Sequence, residues 1–204
     1  MSLISRFHRI MGGLLVFCMF SSMAVADPLI RKTYGYFDIG GRTAEELDRE
    51  LERRGPVTNT TGHRHPGATE IKFGGEVTYV ERGKRCTVGN ASITLETHLI
   101  LPRWKNRRRA KQDLRFIWDT LSSDIKRHEE RHAEIARQFA RKLEDELLKL
   151  RPAKSCAQLE RKVGLTTKRV LEAHDRDQLR FDRVESKNFD HRIMRLLKYR
   201  MQKE

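Results

Sequence analysis

The chain has 204 residues, of which 34% are charged and 38% hydrophobic, with a formal net charge of +14. That length suits one domain with a real core. The basic excess favours anionic partners such as lipopolysaccharide or cell-wall polymers, and nucleic acid is excluded if the chain leaves the cytosol.

Residues 1–26 carry the pattern of a secretory signal. Arg6 and Arg9 are the positive start, Ile10 to Phe20 is mostly apolar, and Ala24-Val25-Ala26 is a small-residue cleavage site before Asp27. A retained membrane anchor is the rival reading, but the apolar run is short for a span. Bulky Phe17 before Cys18 argues against lipoprotein processing. Cleavage near Ala26 predicts a periplasmic or secreted protein with no transmembrane span in the mature chain. The expected layout is a signal peptide over 1–26, a single domain over 27–192 and a basic tail over 193–204. Loss of Cys18 leaves Cys86 and Cys156. An even pair in an exported chain predicts a disulfide, stabilising by about 4 kcal/mol in the chain-entropy model.

The mature chain opens with a β-type run, "TYGYFDI", at 33–39. Thr43 and Glu46 form a capping box that starts a short helix, which ends at Gly55-Pro56. A polar loop follows and holds His63 and His65. Residues 70–80 and 86–101 read as strands around the charged turn "ERGKR". Ile93, Leu95, Thr97 and Leu99 alternate with Thr94, Glu96, His98 and Ile100, the period of a half-buried strand. After the basic run "KNRRRAK", a long helix is predicted from about 111 to 150. Its stripe is Leu114, Trp118, Leu121, Ile125, His128, His132, Ile135, Phe139 and Leu143. Arg151-Pro152 breaks it. Ser155 caps a second helix to about 184, with a stripe of Leu159, Val163, Thr167, Val170, His174 and Phe181. The segment "RIMRLLKYRMQKE" reads as a basic amphipathic surface helix. The whole predicts an α+β fold: a small antiparallel or mixed sheet packed beside a long helical hairpin, zincin-like.

The long helix carries His128-Glu129-Glu130-Arg131-His132, an H-E-x-x-H arrangement. Histidines four apart project from one side of a helix turn. Zinc accepts two such imidazoles without strain, and the adjacent Glu129 can activate a water as general base. Two histidines on an otherwise aliphatic stripe also need a polar partner, which a metal provides. Glu129 is expected on the margin of the stripe, with Ala133 and Ala136. A third ligand is required. If the hairpin folds about residue 152, His128 and His132 face positions near 176 and 172, which points to His174. Asp182 lies further along the same helix.

Several stretches together carry a resemblance: "YFDIGGRTAEELDRELERRGP", "THLILPRW", "RHEERHAEIARQFA", the pair Cys86 and Cys156, and "QLRFD". Over roughly residues 34–182 the chain resembles the bacterial family of predicted secreted zinc-dependent proteases. The resemblance implies an exported metallopeptidase-like domain with His128 and His132 as ligands and Glu129 as catalytic residue. In that family a tyrosine–aspartate pair is followed by a Thr and then a His-Gly. Here the pair is Phe181-Asp182, Glu185 and Lys187 stand where that Thr and His would fall, and His191 comes four residues later. The third ligand is therefore left among His174, Asp182 and His191.

The expectation is an exported zinc metallopeptidase holding one Zn2+ and acting on a peptide or protein substrate. The strand ending at Leu101 would align the substrate by edge pairing, and Tyr79 and His98 are the polar candidates for the oxyanion. The rival expectation is a non-catalytic, metal-containing envelope protein that binds anionic cell-surface polymers.

Overall fold

The computed structural model describes residues 28–58 and 62–203, so the signal-peptide expectation for 1–26 lies outside the described residues. The elements in chain order are β1 (Leu29–Ile39), α1 (Ala44–Arg54), β2 (Ala68–Arg82), β3 (Arg85–Trp104), α2 (Gln112–Leu148), α3 (Cys156–Lys187) and α4 (Phe189–Met201). The fold is mixed α+β. Its sheet has the order β1-β3-β2. β2 and β3 form an antiparallel hairpin turning at Gly83, whose φ of +60° favours glycine. β1 adds to the other side of β3 in parallel.

Period-two alternation decides which face of β3 is covered. Ala91, Ile93, Leu95, Thr97, Leu99 and Leu101 are all buried, as the pattern predicts. Ala91, Ile93 and Leu95 meet α2 through Ile135, Ala136, Phe139, Ala140, Leu143 and Leu147, and Val170 of α3 closes the same core. Truncating one such leucine to alanine costs about 2–5 kcal/mol in transfer and cavity terms. A second core joins Ile39, Leu47, Leu51, Trp104 and Trp118. It seats α1 against the start of α2. The cap of α1 is as the sequence predicts: Thr43 Oγ1 accepts from the Glu46 N–H at 3.2 Å.

The long helix differs from its predicted single stripe. The sheet covers one side and α3 the adjacent side, so its buried face is wider. Glu129, Ala133, Ala136 and Ala140 share the sheet-facing side and are all buried. Glu129 is therefore inside, not on the margin. Alanines along this side let α2 lie close to the strands. His128 and His132 fall on the α3-facing side and remain half-buried.

The hairpin of α2 and α3 also closes differently from the predicted centre at 152. Ion pairs and hydrogen bonds join Arg127 to Glu185, His132 to Gln178, and Glu146 to Arg169. These place the centre near residue 156. The connector before α3 is not a tight turn. Its Ala153 exchanges two backbone hydrogen bonds of 2.9 Å with Cys86 on β3. The stretch spent on this bridge brings Asp182, rather than position 176, to His128. Beside the bridge, the predicted disulfide Cys86–Cys156 ties the start of β3 to the first residue of α3, with Cα atoms 5.1 Å apart. Buried Leu159 covers it.

α4 returns to the early part of α2. Arg192 reaches buried Asp124 with Nε 3.1 Å from both carboxylate oxygens, and Arg200 Nη1 donates to Thr120 Oγ1 at 3.0 Å. Among the described residues, no helix is long and apolar enough to cross a membrane.

Replacing Cys86 and Cys156 together with alanine should lower the unfolding free energy by about 2–5 kcal/mol, read by urea denaturation under oxidising conditions. A loss under about 1 kcal/mol would show that the clip is not a main support of the hairpin.

Candidate metal centre

Three polar atoms converge between α2 and α3. His128 Nε2 and His132 Nε2 lie 3.0 Å apart. Asp182 Oδ1 lies 2.9 Å from His132 Nε2 and 3.3 Å from His128 Nε2. Tetrahedral zinc with bonds near 2.0–2.1 Å sets its ligand atoms about 3.3 Å apart. The triangle formed by His128, His132 and Asp182 therefore fits one face of such a tetrahedron with small adjustments. Without a cation, two imidazole nitrogens this close require a proton between them.

Local structure explains the convergence. The i,i+4 spacing on α2 points both imidazoles at α3. Phe181 packs against both, stacked on His128 with ring centroids 4.9 Å apart and edge-on to His132 at 5.1 Å. Asp182 follows on the next position of α3. Its side chain is 47% exposed, against 26% for His128 and 14% for His132. The cluster is thus walled by helices on one side and open to solvent beside Asp182.

The electrostatics of the metal-free site follow from these contacts. Burial pushes the Asp182 carboxyl up, but hydrogen bonds to His128 and His132 outweigh it and hold the group well below the usual carboxylate range. Burial pushes His132 down, and its bonds to Asp182 and Gln178 overcome that and leave it raised.

Glu129 approaches from the sheet side. It is 5% exposed. The Thr69 hydroxyl on β2 lies 2.8 Å from Glu129 Oε2 and 3.0 Å from its backbone oxygen, so one proton serves both. Gly67, at the entry to β2, leaves the room the carboxylate needs. A Cβ there would sit 2.9 Å from Glu129 Oε1 and from Ile125. Burial raises the Glu129 carboxyl, and the nearby charges of His132 and His128 and the Thr69 bond only partly offset this. A raised carboxylate is closer to the range where a base works at neutral pH.

Of the third-ligand candidates, only Asp182 joins the histidines. His174 is buried one face-turn earlier, between the rings of Phe73 and Phe139 at 5.0 and 5.6 Å, and bonds to Gln178 and Asp175. His191 lies exposed on α4. The oxyanion candidates are elsewhere. Tyr79 packs at the disulfide. His98 lies on the opposite face of the sheet, 2.8 Å from Thr33 Oγ1. His65 is a different matter. Burial lowers it, and the charges of Asp182, His128 and His132 all act on it. Its backbone N–H donates to Pro56 O at 2.9 Å, which pins the loop leading into β2.

The sequence reading passed over Gln178, Phe181 and Thr69 as parts of the site. Gln178 and Asp182 have the same i,i+4 spacing on α3 as the two histidines on α2, and that repeat was a usable signal. Thr69 had none, because only the sheet register brings it to Glu129.

Two histidines and a carboxylate on paired helices, with a buried glutamate beside them, define a candidate mononuclear metal centre. The chain belongs to the bacterial protein family of unknown function DUF922, whose model matches residues 34–191 and so takes in every residue of this cluster. No curated protein and no solved structure matches the chain.

Asp182→Asn should weaken divalent-metal affinity by at least about tenfold, measured by chelator competition. In the metal-free protein, Asp182 contributes stability above its ordinary pKa of 3.8, lost as pH falls further. His132 contributes below its ordinary 6.5, lost as pH rises through its raised value. The stability gap between wild type and Asp182→Asn should therefore be widest between pH 3.8 and 6.5. A gap that does not vary with pH would show that the pairing is not electrostatic.

Proposed function

We propose that the protein is an exported zinc-dependent metallopeptidase of the zincin type, with His128, His132 and Asp182 as ligands of one Zn2+ and Glu129 as general base. The observation that carries the reading is the fit of the three donor atoms to a tetrahedral face, with a solvent opening beside Asp182 and Glu129 buried alongside. Bound zinc supplies Lewis acidity, which makes water a usable nucleophile and a carbonyl a better electrophile.

The chain's own groups supply the rest. Thr69 holds Glu129 Oε2, which leaves Oε1 to take a proton from water and pass it to the leaving amine. His65, on the loop entering β2, is the polar group suited to meet the carbonyl oxygen, in place of Tyr79 or His98. β3 cannot align a substrate through a free edge, because it is the central strand with β1 and β2 on either side. β2, like β1, is an edge strand, and it carries Thr69 beside the base. An extended peptide adding to that edge would lie along the site.

A second reading is the non-catalytic envelope protein. It is favoured by a basic cleft of Arg103, Trp104, Lys105, Arg107 and Arg108, in which Asp38 pairs with Arg103 and Lys105 and Asp119 with Arg107. Such a surface suits an anionic cell-surface polymer.

Purified mature protein should contain one zinc by elemental analysis and cleave unfolded protein substrates. Glu129→Gln should keep the metal and lose turnover by about 10²–10⁴-fold, the usual worth of a general base. Metal without cleavage by either form supports the envelope reading, and a different resident metal overturns the zinc assignment. His65→Ala should retain zinc and lower kcat by about 10²-fold with KM little changed. An unchanged kcat removes His65 from the chemistry.

A further inference from the structure

We infer that Gln178, backed by His174, is a positioning residue that decides which nitrogen of His132 faces the metal centre. The inference rests on reading the His128–His132–Asp182 cluster as a metal site.

Its basis is a chain of hydrogen bonds behind His132, which competes with Asp182 Oδ1, 2.9 Å from Nε2, for the proton of the ring. Gln178 Oε1 lies 2.5 Å from His132 Nδ1. Gln178 Nε2 lies 3.1 Å from the backbone oxygen of His132 and 2.9 Å from His174 Nε2. A carbonyl oxygen only accepts, so the amide must present its NH2 end to it. The reversed amide would set two acceptors against each other. With the NH2 end committed, Oε1 faces His132 Nδ1 and the proton must sit on that nitrogen. His132 Nε2 then carries the lone pair, and Nε2 is the atom that converges with His128 and Asp182.

His174 extends the chain. Its Nε2 accepts from Gln178, so its own proton belongs on Nδ1, which lies 2.9 Å from Asp175 Oδ1. It is 5% exposed, and edge-on contacts with Phe73 and Phe139 hold its ring. The other tautomer would present an Nε2–H donor to the Gln178 NH2. His174, Gln178 and Asp182 recur every four residues on α3. One strip of that helix thus bears the anchor, the orienting amide and the carboxylate. Metal-bound histidines generally need such a partner on the second ring nitrogen, and losing it costs about 10–100-fold in affinity.

The test uses the mature chain and zinc alone. Gln178→Met removes both ends of the amide at similar length. Zinc affinity by chelator competition should fall by about 10–100-fold. Long-range ¹H–¹⁵N correlation of metal-free protein, at a pH well above the imidazole range, should show His132 as a single Nδ1–H tautomer in wild type. In Gln178→Met it should show a mixture dominated by Nε2–H. His174→Phe fills the same aromatic slot and leaves the Gln178–His132 bond, so it should give a smaller loss of about threefold. Should Gln178→Met not fold, the wild-type tautomer and His174→Phe still decide the matter. Unchanged zinc affinity in Gln178→Met, or Nε2–H as the wild-type His132 tautomer, overturns the inference. If wild type binds no zinc yet shows the Nδ1–H form, the metal reading fails while the orienting role of Gln178 stands.

Discussion

Two imidazole nitrogens and a carboxylate oxygen share a space about one ion wide, and the folded hairpin does not let them move apart. Imidazoles repel one another's lone pairs, and neither is free to turn away. Phe181 packs against both rings, and Gln178 holds the back of His132. A hydrogen-bonding proton or a metal ion must therefore lie between the two nitrogens. Everything else about the hairpin can be read as a way of maintaining that demand.

α2 meets it by dividing its surface. The side with Ala133, Ala136 and Ala140 lies against the strands, and the next side round carries the histidines to α3. Glu129 belongs to the sheet-facing side although it adjoins His128 in sequence. That places Glu129 and the two histidines on two faces of one helix, held by two different layers. The sheet orients Glu129 through Thr69 and Gly67, and the second helix orients the histidines. A change in one layer can then disturb Glu129 without disturbing the histidine pair.

Much of this arrangement was legible in the chain itself. Strict alternation from Ile93 to Leu99 marked the inward face of β3, because a half-buried strand repeats every two residues. The stripe of α2 and the break at Pro152 showed two paired helices, and the cysteine count showed the clip. The stripe failed where it had two partners, since periodicity reports that a side is covered and not by what. Distance arithmetic across the hairpin failed for a related reason. It assumed a tight turn, while Ala153 is occupied in pairing with Cys86. A tight turn would set His174 opposite the histidines, whereas the longer connector brings Asp182 there. β1 pairing in parallel with a strand far along the chain left no local trace, and with it the central place of β3 was hidden.

The clip between β3 and α3 has a consequence for the order in which the molecule can be assembled. It anchors the first residue of α3, whereas Asp182 lies seven turns further along the same helix. A slip of a single helical turn, about 5.4 Å, would carry that carboxylate away from both imidazoles. Closing the sulfur–sulfur bond removes such slipped alignments before any ion arrives. The oxidised chain thereby holds the three donor atoms in register more firmly than the reduced one.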